Sequence, residues 1–258
     1  MGSDIYTKLL LHCDGADGST TFIDSATGKT VTAVGTAQLD TAQSVFGGAS
    51  LLCDGNSDYL SIPDSDDWDF GAGNFTIDFR VRFNDFSTNQ GFFSQWVDDN
   101  NCVFGYMHSN GNLQFYSISG GVYTSGYYFA MGPSTNTWYH LGIVRNGTNF
   151  YIFKDGVFQA LTVGTAIGTN TLPNLAIALT VGYTRGAALT GYLNGWIDEF
   201  RVSKGIARWT ANFTPPTKAY DMPSGGILAW FMNSCWAKHD KLWRNNKLYL
   251  PKDLGFSY

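Results

Sequence analysis

The chain of 258 residues is poor in charge, with Asp, Glu, Lys and Arg together making up 14% of it. Glutamate is nearly missing: Glu199 is the only one among 21 acidic residues, the rest being aspartate. Glutamate suits helices and aspartate suits turns and caps, so little helix is expected. Proline is scarce at 7 residues, while glycine reaches 30 and aromatics 16%. That mixture fits many strands joined by tight turns, because aromatics favour half-buried pleated surfaces and glycine supplies turn geometry. No stretch of ~18 consecutive apolar residues occurs, so no membrane-spanning helix is expected. The opening Met1-Gly2-Ser3-Asp4-Ile5-Tyr6 has neither a basic end nor an apolar run, and no signal peptide is read there. The cysteines (Cys13, Cys53, Cys102, Cys235) lie far apart without a Cys-x-x-Cys pair, which argues against zinc. They read as buried thiols, with a Cys13–Cys53 bridge as the alternative. Net charge is −5, and the segment from Ile227 onward is basic, so the body of the chain is the more acidic part. A body without clustered cations argues against nucleic acid as the partner.

What is present is period-two alternation. Over Asn74–Phe83, Phe75, Ile77, Phe79, Val81 and Phe83 point one way, and Thr76, Asp78, Arg80 and Arg82 the other, as in a strand with one core face and one wet face. Trp138–Arg145 and Thr148–Lys154 flank Asn146-Gly147, a strong hairpin signal. Asp155-Gly156 then leads into Val157–Val163, predicting a three-stranded meander. Further strands are predicted at Tyr6–Cys13, Ser50–Cys53, Tyr59–Ile62, Phe92–Trp96, Cys102–Met107, Asn112–Ser117, Ile177–Tyr183 and Gly191–Val202. Only Ser203–Trp209 invites a short helical turn. The sequons at Asn74, Asn146 and Asn212 read as strand and turn chemistry. Residues 217–226 read as a linker, and 227–258 as a small aromatic and basic tail with a hairpin about Asn245-Asn246.

Several motifs occur in a telling order: Leu9-Leu10-Leu11-His12-Cys13-Asp14-Gly15, Gly48-Ala49-Ser50-Leu51-Leu52-Cys53-Asp54-Gly55 and Asp58-Tyr59-Leu60. After them come Asn74-Phe75-Thr76-Ile77-Asp78-Phe79, Trp138-Tyr139-His140, Lys154-Asp155-Gly156, Gly195-Trp196-Ile197-Asp198-Glu199-Phe200-Arg201-Val202 and Asn212-Phe213-Thr214-Pro215-Pro216. Together they resemble the laminin-G-like branch of the concanavalin-A-like lectin/glucanase superfamily, of the kind found in bacteriophage particle proteins. Cys13 and Cys53 stand where such domains often carry Phe. The resemblance implies an all-β fold, an antiparallel two-sheet jelly-roll sandwich over residues 1–216, with the tail as a C-terminal appendage. Its usual work is recognition of glycans or proteins.

The superfamily also contains glucanases, which use two glutamates in a Glu-x-Asp-x-x-Glu pattern. With Glu199 alone, that pattern cannot form. The acidic run Asp64-Ser65-Asp66-Asp67-Trp68-Asp69 reads as a solvated loop, and the histidines His12, His108, His140 and His239 are scattered, His140 reading as a half-buried structural residue. No catalytic residues are assigned. Alternation puts Asp198 on the core face beside Phe200 and Val202, where a carboxylate needs a partner. Laminin-G-like domains often carry a structural ion near the first and last strands, which implies Ca2+ held by Asp198 and Asp14, with Asp17 as a third candidate. The alternative is that Asp198 accepts backbone N–H bonds and Asp14 makes a turn.

Sugar sites need aromatic platforms beside polar groups. Trp96 with Asp98, Asp99 and Asn100 is one candidate. The other is Tyr123 and Tyr127 in the glycine-flanked segment 120–132, read as an exposed aromatic loop. The alternative is that these rings fill the sandwich or a subunit interface. In the tail, Trp230, Phe231, Trp236, Trp243 and Tyr249 suggest an interaction surface. These readings combine into a non-catalytic virion surface protein, decoration or fibre. It would be a homo-oligomer that recognises a glycan or host-surface polysaccharide and is anchored to other virion proteins by its tail. A secreted bacterial carbohydrate-binding or adhesion module, extracellular rather than on a virion, is the alternative, followed by a glycoside hydrolase.

Overall fold

The computed structural model describes residues 4–186 and 189–221, together with the backbone of two short strands, Leu242–Arg244 and Lys247–Tyr249. The chain opens with β1 (Thr7–Leu11), β2 (Thr32–Val34), β3 (Gln38–Asp40), β4 (Ser50–Asp54) and β5 (Tyr59–Ile62). Five longer strands follow: β6 (Phe75–Phe83), β7 (Gln90–Asp98), β8 (Asn101–Met107), β9 (Asn112–Ser119) and β10 (Val122–Ala130). Next come β11 (Trp138–Asn146), β12 (Asn149–Lys154), β13 (Val157–Phe158) and β14 (Thr162–Thr165). Last are β15 (Leu179–Val181), β16 (Tyr183–Thr184), β17 (Gly191–Tyr192) and β18 (Asn194–Lys204), with β19 and β20 forming the 242–249 hairpin.

Two antiparallel eight-stranded sheets result. The first runs β13-β12-β11-β6-β18-β4-β3, with β1 also pairing β18, and the second runs β14-β10-β9-β8-β7-β15-β5-β2. Their facing sides make a phenylalanine-rich core. Phe79 lies 5.2 Å from Phe92 and 5.5 Å from Phe200, and Tyr127 stacks on Phe150 at 4.3 Å. Each such ring contributes on the order of 2 kcal/mol by leaving water. Phe75, Ile77, Phe79, Val81 and Phe83 all sit in this core, as alternation predicts. Cys13, Cys53 and Cys102 are buried free thiols, so there is no Cys13–Cys53 bridge, and Cys235 lies outside the described residues.

Five expectations are corrected. Thr76 and Asp78, assigned to a wet face, are completely buried. The segment after β18 lies over that face: Trp209 stacks on Phe213 at 4.0 Å, Arg80 donates to the Pro216 carbonyl, and Tyr220 covers Arg201. The chain read as linker from residue 217 therefore begins as part of the sandwich, with Tyr220 only 6% exposed. The third strand of the meander breaks after Phe158, and the chain crosses to the second sheet as β14. Segment 120–132 is a nine-residue strand, β10, rather than a loop. Finally, Ser203–Trp209 is not helical. The 3-10 turn among the described residues is Asp66–Trp68, where the Ser65 hydroxyl accepts from the Asp67 N–H. In that acidic run, Asp67 pairs with Lys29 at 2.5 Å, so it is a charge-paired loop. The sequon asparagines at 74 and 212 accept from Gly147 N–H and Phe158 N–H, as turn and strand chemistry requires.

Candidate functional site

The outward face of the second sheet is aromatic. Along β8, Val103 and Met107 enter the core while Cys102, Phe104 and Tyr106 face the other way. Along β9, Leu113 and Phe115 enter the core while Gln114, Tyr116 and Ile118 lie opposite Tyr106, Phe104 and Cys102 in register. β7 adds Trp96, whose register partner is Cys102, and β10 adds Tyr123 opposite Ile118. A groove of about 460 Å³ forms there, lined by Trp96, Asp99, Phe104, Tyr106, His108, Gln114, Tyr116, Ile118, Tyr123, Gly186 and Leu189. That size suits a small-ligand site, for which ~300–1,000 Å³ is usual.

The geometry fixes the rings and leaves polar groups at their edges. Trp96 and Phe104 lie 4.8 Å apart, Phe104 and Tyr116 5.7 Å, and Tyr116 meets Tyr123 edge-on at 5.8 Å. The Tyr106 hydroxyl donates to Gln114 Oε1 at 3.0 Å, which holds both side chains in place. Burial pushes the Tyr106 and Tyr116 hydroxyls above the ordinary tyrosine range, so both stay protonated donors. The segment between β16 and β17 walls one side. Its Gly186 has φ +148°, and a Cβ there would come within 2.8 Å of the Trp96 ring. Glycine is thus required for this wall to lie against the tryptophan. Tyr123 is 52% exposed, so it stands at the open rim of the groove.

Of the residues predicted for ligand binding, Trp96, Asp99 and Tyr123 line the groove. Asp98 and Asn100 belong to the β7–β8 turn, where Asp98 Oδ1 accepts from the Asn100 N–H at 2.8 Å and the Asn100 carbonyl accepts from Gly121 N–H. Tyr127 is a correction. It is 5% exposed, its ring is in the core, and its hydroxyl accepts from Ile167 N–H. Strict alternation would put Tyr123 and Tyr127 on one side of β10, and the register shift between Tyr123 and Ser125 sends them to opposite sides. Phe104, Tyr106, Gln114 and Tyr116 were missed as site residues. Their signal was present: β8 and β9 carry large apolar side chains on both faces, more than one core requires.

The acidic residues predicted to hold Ca2+ lie elsewhere, where β1 and β18 meet. A bulge interrupts β18 between Asp198 and Arg201, with Glu199 at φ +53°. This corrects the face assigned to Asp198. Its register partner is Arg80, and Trp196 pairs with Arg82, so Asp198 stands on the side opposite Phe200 and Val202. It is nevertheless completely buried. Its Oδ2 accepts from Val45 N–H at 2.7 Å and Phe46 N–H at 3.1 Å, while Oδ1 has no partner. Burial, only partly offset by those two amides, pushes the Asp198 carboxyl up to about 7. Asp14 packs against Gly47, and burial raises its carboxyl too. Beside them, His12 Nδ1 and Glu199 Oε1 are 2.6 Å apart, and Glu199 Oε2 accepts from Tyr220 N–H. Burial opposes charge on His12, but Glu199, with Asp14 and Asp198 nearby, outweighs it and raises the imidazole pKa. Asp17 is engaged separately, accepting from the Thr41 amide and hydroxyl. Among the described residues no three His, Cys, Asp or Glu side chains form a ready metal ligand set.

The tail residues Trp230, Phe231 and Trp236 lie outside the described residues. The hairpin expected there is present in the backbone, with Leu242 pairing Tyr249 and Trp243 pairing Leu248.

No curated protein matches the chain. Among solved structures it is similar to the binding domain of botulinum neurotoxin serotype D (TM-score 0.56, 15% identity), covering 78% of this chain and 49% of that one. It is also similar to domain 4 of AbnA, an extracellular GH43 arabinanase from Geobacillus stearothermophilus, in complex with arabinotriose (TM-score 0.55, 15% identity), covering 78% of this chain and 93% of that one. A third is the binding domain of botulinum neurotoxin DC in complex with SialylT, with a TM-score of 0.54, 15% identity, and coverage of 78% and 49%. The chain spans about half the length of the neurotoxin domains, and the likeness is one of fold. A laminin-G family model, described as the concanavalin A-like lectin/glucanases superfamily, matches residues 54–208. This chain belongs to the concanavalin A-like lectin/glucanase superfamily.

Proposed function

We propose that the protein is a non-catalytic recognition module that binds a glycan in the groove on its second sheet. One observation carries this reading: Phe104, Tyr106 and Tyr116 line a groove together with Trp96 and Tyr123, and Gln114, His108 and Asp99 stand in the same lining. Sugar rings present apolar C–H faces and a polar hydroxyl rim, and this layout offers a partner to each. That an arabinanase domain of similar fold is recorded with arabinotriose agrees with this assignment. Most glycosidases place two carboxylates flanking the bond, and among the described residues the groove lining holds one, Asp99. Glu199 is engaged at the other sheet by His12 and the Tyr220 amide.

Calcium at Asp198 and Asp14 is proposed as a structural support. The fit rests on the orphaned, buried Asp198 Oδ1 beside a second carboxylate. Backbone carbonyls and water would complete its oxygen shell, and Asp17 is left to Thr41. The position of the protein on a virion surface, as a homo-oligomer anchored through its tail, is likewise a proposal. It rests on the sequence resemblance and on the aromatic, basic character of residues 227–258. The experiment is binding to a broad glycan panel with calcium and with chelator, while product sugars are monitored. Saturable binding without cleavage is expected. Release of shorter sugars would refute the non-catalytic reading, and the absence of all binding would refute the glycan site.

A further inference from the structure

Among the described residues, the groove carries aromatic rings and one carboxylate, and neither Lys nor Arg stands in its lining. The gap is wider than the groove itself. Between Arg82 and Arg145 the sequence contains no lysine or arginine, and that interval supplies all of β7, β8, β9 and β10. The edge strand beyond them, β14, lies in a second stretch, residues 156–184, that carries no charged side chain of either sign. On the opposite wall the nearest cation in sequence is Arg185, before Gly186, and its charge acts on Tyr183, which stacks with Tyr59 and Tyr192.

An anionic sugar entering such a site loses hydration and gains no counter-charge. The faces of the rings repel it further, because an aromatic quadrupole is negative over its face. Asp99 at the rim adds a like charge, weakened by its exposure to water. An uncharged sugar meets none of these penalties, and its C–H faces are attracted by the same rings.

We propose that the groove selects uncharged saccharides and rejects those bearing carboxylate, sulfate or phosphate groups, with Asp99 contributing to the rejection. This rests on the glycan reading above and sharpens it to a ligand class. The test uses matched pairs on the full chain at about pH 8, above the ordinary histidine range. The probes are methyl-esterified against free oligogalacturonides, and N-acetyllactosamine against its sialylated form, titrated by calorimetry. Within a pair that binds, the neutral member is expected to bind at least about tenfold more tightly, roughly 1.4 kcal/mol. Asp99→Lys places a cation at an exposed rim position, where folding is not at stake, and is expected to narrow that ratio. An acidic member that the native protein binds as tightly as its neutral partner would overturn the selectivity while leaving the glycan site standing. Failure of every neutral and acidic probe would overturn both.

Discussion

At the scale of single residues, Asp198 and Asp78 show how differently one side chain is treated on the same sheet. Asp78 is completely buried, yet Arg201 grips it with Nε at 2.9 Å and Nη2 at 3.2 Å, and the Tyr220 hydroxyl donates to it. Burial alone would raise its pKa, but the guanidinium and His140 outweigh burial and hold the carboxyl down at about 2. Asp198 has two amides and no hydrogen-bonded cation, and burial carries it up to about 7. The two have opposite consequences for stability. Asp78 stabilises the fold above the ordinary aspartate range near ~4, and that contribution is lost as pH falls through its depressed value. Asp198 costs nothing while protonated, and destabilises progressively as pH rises from ~4 to about 7. His12, raised by Glu199, adds stability that is complete below the ordinary histidine range near ~6.5 and is lost as pH rises through its higher folded value. Metal-free protein is therefore expected to melt at a lower temperature at pH 8 than at pH 5.5. Asp198→Asn is expected to flatten that slope, and calcium to restore the native protein at pH 8. A melting temperature that climbs from pH 5.5 to 8 in chelator would contradict the assignment.

At the scale of elements, the long strands were legible and their irregularities were not. The alternation of β6 and the Asn146-Gly147 turn between β11 and β12 could be read directly, because period and turn chemistry are local. Segment 120–132 was misread because its glycines and tyrosines look like a loop. What makes it β10 is pairing to β9 on one side and β14 on the other. The Asp198 face was misread because a bulge leaves no mark in alternation until Glu199 is seen at positive φ. The wet face assigned to Thr76 and Asp78 was misread because what covers it, the segment 205–221, lies about 130 residues away in sequence. That segment yields an element-scale prediction. Truncation after Asp221 is expected to leave the melting temperature unchanged. Truncation after Phe213 removes the Pro216 and Tyr220 contacts and uncovers the buried Asp78–Arg201 pair. Weakening a buried ion pair on one side costs on the order of 3 kcal/mol, or roughly 6–12 °C in a chain of this size. Equal melting temperatures for the two truncations would show that the segment is not part of the folded unit.

At the scale of the whole molecule, the two sheets have divided their outer faces. The first is covered by its own chain, through Trp209, Phe213, Pro216 and Tyr220, and Asp78 and Arg80 are engaged beneath that cover. The second keeps an open aromatic groove. The proposed recognition site thus lies on one side of the sandwich. This division was only half visible in the sequence, where Trp96, Asp99 and Tyr123 stood out but the floor between them looked like ordinary strand. The measurement that tests this most directly is glycan binding by Tyr123→Ala and Trp96→Ala beside the native protein, with thermal unfolding recorded for each. Tyr123 is more than half exposed, so its loss is expected to change stability by no more than about 0.5 kcal/mol. Loss of either ring is expected to weaken binding about tenfold or more, as removal of an aromatic anchor does. Variants that stay folded and bind a glycan as tightly as the native chain would place recognition elsewhere and contradict the account.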